Sequence, residues 1–145
     1  MNIYTLKDSN NSAQINDLLH NLTPSAPEIN AERLQTLIED DSFYLFAAEL
    51  EDGIIAGMLT LTRCQTLARS KYWIEDVIVA PEYRGKGIGR ALVEAAVEHV
   101  RSSEEQTVIY LTSNPSRQTA RALYRSVGFE DYETGVFKME IQHTT

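Results

Sequence analysis

The sequence predicts one α/β domain of the α+β kind, a central and mostly antiparallel mixed sheet flanked by helices. Three observations carry this. Short apolar runs alternate with segments whose apolar residues recur every three to four positions, so strands and amphipathic helices are interleaved. Asp52-Gly53 divides two strand-like runs and marks a hairpin. One strand feeds directly into a helix and then a further strand, and such a crossover makes only those two strands parallel. With 145 residues the chain has room for one domain, 1–145, with a real core and not for two of ordinary size.

Taken in order, Ile3 to Leu6 reads as a short strand, and Ser12 to Leu22 as a helix with Ile15, Leu18, Leu19 and Leu22 on one face. Thr23 to Pro27 breaks it. Asn30 is a candidate N-cap for a second helix through Leu34, Leu37 and Ile38, which Asp40-Asp41-Ser42 ends. Phe43 to Leu50 and Ile54 to Arg63 form the hairpin arms, with Asp52-Gly53 supplying the positive φ values of a type I′ connection. Gln65 to Lys71 is a polar loop, and Tyr72 to Val79 the strand that feeds the next helix, whose inner face is Ile88, Leu92, Ala95, Ala96 and His99. Val108 to Thr112 is a strand and Ser116 to Val127 a helix, with Gly128 as its left-handed terminus and Phe129 packing back. Phe129 to Tyr132 and Val136 to Ile141 are expected to pair as a last hairpin, whose exposed edges suit a homodimer.

Composition narrows the function. A formal charge of −8 and a pI near 4.8 argue against nucleic acid, whose binding rests on Lys and Arg neutralising phosphates. No apolar run approaches the ~20 residues of a membrane span, and Met1 to Lys7 lacks the pattern of a signal peptide. Cys64 stands alone, so no disulfide within the chain exists, a cytoplasmic location is expected, and the thiol reads as a buried structural one. His20, His99 and His143 have no ligand spacing to one another or to Cys64, and no metal is expected.

Residues 79 to 92 hold the most chemistry. Gly85, Gly87 and Gly89 alternate with Lys86 and Ile88 between an apolar strand and an amphipathic helix, with Arg84 and Arg90 at either end. Glycines let consecutive N–H groups converge on an anion, and a helix N-terminus adds unpaired donors and the positive end of its dipole. The plain alternative is a glycine-rich turn with solvated basic residues. No Gly-Lys-Ser/Thr ending is present, and the spacing is G-x-G-x-G, so the loop is neither a nucleoside triphosphate loop nor a dinucleotide fingerprint.

Val79, Pro81, Tyr83, then Arg84-Gly85-Lys86-Gly87-Ile88-Gly89 after a strand resembles the acyl-coenzyme-A motif of the GCN5-related N-acetyltransferase (GNAT) superfamily. Leu111-Thr112-Ser113-Asn114, Ala120 and Leu123-Tyr124-Arg125-Ser126-Val127-Gly128-Phe129 are similar to that superfamily's second motif, in the right order and at about the right separation. The resemblance implies that the central strands splay and that acetyl-coenzyme A lies in the gap. Its pyrophosphate would rest on Arg84, Gly85, Lys86, Gly87, Ile88, Gly89 and Arg90. Its pantetheine arm would pair with the main chain of Val77, Ile78 and Val79, one N–H facing the thioester oxygen, and with the Asn114 side chain. Arg117, first of a stripe with Arg121 and Arg125, would reach a cofactor phosphate.

The same resemblance implies direct attack by an amine on the thioester in a ternary complex. A lysine-like amine is mostly protonated at neutral pH, so a base must act, and Glu75 is the candidate. Strand alternation places Glu75 and Asp76 on opposite faces, and ordinary surface charge is the alternative for both. Tyr124 occupies the position of the tyrosine that donates to the departing thiolate; a core-packed tyrosine is the alternative. The acceptor class stays open between small amines and peptides. A non-catalytic acyl-coenzyme-A sensor of the same fold is the rival reading.

Overall fold

Two faces of one sheet are covered by different helix pairs, and that division follows from the sequence periodicities. The computed structural model describes residues 1–104 and 106–142, so His143 lies outside the described residues. The elements run β1 (Asn2–Thr5), α1 (Ser12–Leu22), α2 (Ala31–Glu39), β2 (Phe43–Glu49), β3 (Ile55–Gln65), β4 (Ser70–Val79), a single 3₁₀ turn (Pro81–Tyr83), α3 (Ile88–Ser103), β5 (Ile109–Tyr110) and α4 (Gln118–Val127). The strands lie in sequence order, β1 to β4 antiparallel and β5 parallel to β4, as the α3 crossover requires.

Alternation along the strands sorts the core into two layers. Phe46, Ala48, Leu59, Leu61, Tyr72 and Ile74 face α3, meeting Ile88, Leu92, Val93, Ala96 and Val100, with Tyr124 of α4 joining them. Leu45, Ala47, Met58 and Ile78 face the other way, against Ile15 and Leu18 of α1 and Leu34 of α2. Asn30 caps α2 as expected: its Oδ1 accepts the Arg33 N–H at 2.7 Å. Asn16, also buried, accepts the Ile29 N–H at 2.8 Å and donates to the Ile29 carbonyl at 2.7 Å, which ties α1 to the segment before α2.

Four expectations are corrected. Gly53 has φ 82° while Asp52 is not among the positive-φ residues, and Leu50 and Ile54 bracket a three-residue loop; one left-handed glycine is what such a loop needs, so the connection is not type I′. Gln65 pairs with Ser70, so β3 and β4 outrun the expected polar loop and leave only Thr66–Arg69 as the turn. Cys64 is exposed, because burial along β3 gives way to solvent over its last residues. The last hairpin does not form: residues 130–142 carry no strand, and Phe137, Met139 and Ile141 are exposed.

No helix among the described residues is long and apolar enough to cross a membrane, and no group of three or more His, Cys, Asp or Glu side chains gathers there in a metal-binding arrangement.

Candidate active site

β4 brings the candidate residues together, and it does so through an irregularity. Its register with β3 passes from Met58↔Ile78 to Thr60↔Glu75, so β4 holds one more residue than its partner at this point. The extra residue is Asp76, the sole non-glycine residue with positive φ (49°) among those described. A bulge of this kind breaks the period of two and re-aims the side chains beyond it. Thr60, 5% exposed, donates its hydroxyl to Asp76 Oδ2 at 2.9 Å, and Thr60 is also the cross-strand partner of Glu75. Glu75 and Asp76 therefore share the face that Thr60 occupies, which corrects the expectation of opposite faces.

The Glu75 carboxyl titrates above the ordinary glutamate range, first because part of its hydration is lost and second because the Asp76 charge is adjacent. Trp73, two residues earlier, lies on the same face and stacks on Tyr110 of β5 at 5.0 Å, with the rings tilted by 31°. Alternation from Glu75 would have found Trp73. Tyr110 carries no sequence signal, since its place beside Trp73 depends on the β4–β5 register.

Beyond the bulge, β4 loses its neighbour on one side. The ladder with β5 holds Tyr72↔Ile109 and Trp73↔Tyr110 only, so Glu75 to Val79 run on without a strand on that flank. Val77 and Val79 pack into the α3 layer and Ile78 into the opposite one, which leaves their main chain as what they can offer a ligand.

The loop after β4 is built to present N–H groups. Ala80 donates to Ala56 at 2.8 Å, Pro81 starts the 3₁₀ turn, and Arg84 returns its Nε to the Val79 carbonyl at 3.0 Å. Gly85 (φ 77°) and Gly87 (φ 81°) are left-handed, and a Cβ at either would meet open space, so their backbones face solvent. Gly87 is the N-cap of α3, whose first N–H groups have no partner within the helix. Gly89 has no such φ, and a Cβ there would make ordinary contacts of 3.6 and 3.7 Å with Leu123 and Val79. Two of the three glycines are thus demanded by conformation. Lys86 Nζ stands 5.6 Å from the centre of the Tyr83 ring.

Arg90 is engaged elsewhere: it donates to Glu94 at 2.7 Å and to the Ser126 hydroxyl at 2.6 Å, joining α3 to the last turn of α4. Asn114 Oδ1 accepts the Ser116 N–H at 2.9 Å, a turn-forming bond that orients the start of α4. Arg121, whose structural part has no local signal in the sequence, donates to the Ser113 carbonyl at 2.9 Å and holds the same loop from the helix side. Arg117 caps α4, and its charge is felt at Tyr124.

Tyr124 is fixed by the end of its own helix. Gly128 and Phe129 donate their N–H groups to the Tyr124 carbonyl at 3.2 and 3.0 Å, and the Phe129 ring meets the Tyr124 ring edge-on at 6.2 Å. Burial raises the phenol pKa above 10.0, with Arg117 opposing. Over the physiological range this group is a neutral hydrogen-bond donor.

Comparison with known proteins adds an independent line. The family model described as the acetyltransferase (GNAT) family matches residues 12–129. Among curated relatives, the N-alpha-acetyltransferase RimI of Mycobacterium tuberculosis is 33% identical over 78 residues, covering 54% of this chain and 47% of the relative. The mycothiol acetyltransferase of Nocardiopsis dassonvillei is 32% identical over 111 residues, 71% of this chain and 33% of the relative. The chain spans less than half the length of the curated relatives it matches. Among solved structures, an aminoglycoside acetyltransferase from an uncultured soil metagenomic sample, in complex with sisomicin, superposes with a TM-score of 0.84 at 21% identity, covering 97% of this chain and 96% of the other. Glucosamine-6-phosphate N-acetyltransferase from Arabidopsis thaliana gives 0.79 at 23% identity, covering 95% and 97%. At these identities the structural likeness speaks for the fold.

Proposed function

The chain belongs to the acetyltransferase (GNAT) family, and from that premise we propose that it moves an acetyl group from acetyl-coenzyme A to a primary amine, by direct attack with both substrates bound. The observation that carries the reading is the conjunction on one strand of a raised-pKa carboxylate, Glu75, with an unflanked stretch, Val77 to Val79, that runs into the left-handed glycine loop.

The residues present fit the cofactor. Gly85 and Gly87 leave open space where side chains would otherwise stand, and the α3 N-terminus offers unpartnered N–H groups beside Arg84 and Lys86, a cradle suited to a pyrophosphate. Val77, Ile78 and Val79 offer main-chain groups to a pantetheine arm, the Asn114 side chain would add a hydrogen bond to that arm, and Arg117, at the start of α4, would reach a phosphate. Arg90 enters the reading through the helix junction that it braces rather than through the phosphates. Once bound, acetyl-coenzyme A supplies an activated acetyl group.

The chain's own residues manage protons and charge. An ammonium of pKa ~10.4 must lose a proton before it can attack, and a carboxylate held above its usual range is better matched to that task than an ordinary glutamate. Glu75 is the base, and Asp76 on the same face both raises its pKa and favours a cationic acceptor. Trp73 and Tyr110 form an aromatic wall next to this pair, against which the body of the acceptor would rest. A main-chain N–H of Val77 to Val79 stabilises the charge that builds on the acetyl oxygen, an effect of about 10²–10³ in rate where a single such donor has been removed from hydrolases. Tyr124, with a pKa above 10.0, holds the departing sulfur, whose thiol pKa is ~8.5, by a hydrogen bond without giving up its proton.

The named relatives range from an N-alpha-acetyltransferase to a streptothricin and a mycothiol acetyltransferase, so the acceptor is a matter for direct assay. Thiol release from acetyl-coenzyme A is expected with one class among polyamines, amino acids, amino sugars, aminoglycosides and peptides, and Arg84→Ala is expected to weaken cofactor binding. Cofactor binding by calorimetry with no acetyl transfer to any of them would replace the transferase by a sensor of acyl-coenzyme A.

A further inference from the structure

The face of β4 that carries Glu75 bears charges of opposite sign at its two ends. From Ser70 to Glu75 the strand is regular, with Lys71 opposite Cys64, Trp73 opposite Thr62 and Glu75 opposite Thr60, and the bulge comes only after them. Alternation therefore puts Lys71, Trp73 and Glu75 in one row, while Tyr72 and Ile74 between them are buried in the α3 layer. Asp76, bonded to Thr60, joins the acidic end. Tyr110, level with Trp73 on β5, completes the middle.

Lys71 is the member of this row that the proposed reaction does not use. Its Nζ lies 5.6 Å from the centre of the Tyr110 ring, so the ammonium stands at the aromatic wall. No carboxylate among the described residues comes within ion-pair distance of it. A ring face attracts a cation but is a poor acceptor for its N–H groups, so the donors of this ammonium are left for an anion. Lys71 differs from an ordinary solvated lysine in its place, on the same face as Glu75 and across an aromatic surface from it.

We propose that the acceptor is amphoteric, a primary amine with an anionic group at its far end. It lies along β4 with its amine at Glu75 and Asp76, its body on Trp73 and Tyr110, and its anion on Lys71. This rests on the reading of Glu75 as the base and names the acceptor class for it. Four residues of strand at ~3.3 Å each separate Lys71 from Glu75 by about 13 Å, and both side chains can incline inward, so the acceptor's charges stand about 10 Å apart. An α-amino acid, with both charges on one carbon, is too short to reach both ends. A polyamine of the right length would set its second ammonium against Lys71, and an uncharged tail would leave the Lys71 donors unmet.

The probes are 8-aminooctanoate, whose extended chain matches the row, 8-aminooctanamide, which has the same length without the anion, and 1,8-diaminooctane. Calorimetry on the full chain with coenzyme A present should find the aminooctanoate bound about two- to fivefold more tightly than the amide, the worth of one partly screened ion pair, and the diamine weaker still. Lys71→Met should erase this order and Lys71→Glu should turn it over in favour of the diamine, with circular dichroism unchanged. Equal binding of the three by the unaltered chain, binding of none, or an order that survives Lys71→Met overturns the proposal. Thiol release is scored separately. The predicted order of binding without transfer upholds the row as a ligand site and overturns the transferase; transfer to all three alike upholds the transferase and overturns the row.

Discussion

β4 is registered with β3 from Gly57 through Gln65, but with β5 only at Tyr72 and Trp73. The first flank is packed to completion: Ala56, Leu59 and Leu61 are wholly buried, and a Cβ on Gly57 would come within 3.0 Å of the Ile78 carbonyl. The second flank has an unpaired strand edge, a cleft and half-buried apolar residues. The difference separates stability from chemistry. Main-chain groups consumed by a ladder cannot serve a ligand, so a site that uses them has to lie where the ladder stops, and the rigidity that holds it in place comes from the other side of the same strand.

The largest expected effect breaks the chemical flank alone. Glu75→Gln should lower turnover by about 10²–10⁴, the usual contribution of a positioned base, while calorimetry finds acetyl-coenzyme A binding nearly intact. An unchanged turnover would take Glu75 out of the mechanism. The next pair sets the flanks against each other by denaturant titration. Leu59→Ala, at a fully buried position, should cost about 2–5 kcal/mol, a large part of the ~5–15 kcal/mol typical of a domain. Leu111→Ala, half-buried just past β5, should cost about 1 kcal/mol or less. Equal losses would mean that the two flanks are packed alike.

The smallest effect is in pH. Glu75 must be deprotonated to act, so the acid limb of turnover should lie above the ordinary carboxylate range. Asp76→Asn removes the lesser of its two causes and should move that limb down only part of the way, since lost hydration still acts. Asparagine tolerates the left-handed backbone and can still accept from Thr60, so the fold should hold. Stability runs in the opposite sense. The folded chain holds the Glu75 proton more tightly than the unfolded one, so stability declines as pH rises through the raised pKa, and Asp76→Asn should soften that decline.

The features legible in the sequence are local ones. The periodicity of α1 and α3, the Asn30 cap and the strand–loop–helix junction each depend on residues within a few positions of one another, and the structure has them. The Asp76 bulge is hidden because it exists only as a mismatch of count between β3 and β4, and with it goes the shared face of Glu75 and Asp76. Arg90 reads as part of the loop because Ser126, which draws it away, lies thirty-six residues further on. The last hairpin fails for the same reason: alternation makes Val136–Ile141 read as a strand, but it does not say whether an edge lies within reach for it to join. The two-residue β5 is shorter than its sequence pattern because its ladder with β4 ends at Tyr110, so the β-prone Leu111 and Thr112 have no partner strand.

The single tryptophan of the chain stands on the Glu75 face, in contact with Tyr110. Tryptophan emission therefore originates beside the residues proposed to meet the acceptor and nowhere else in the protein. The unlabelled protein carries its own optical probe, and quenching on titration with a candidate amine would rank acceptors before any transfer has been observed.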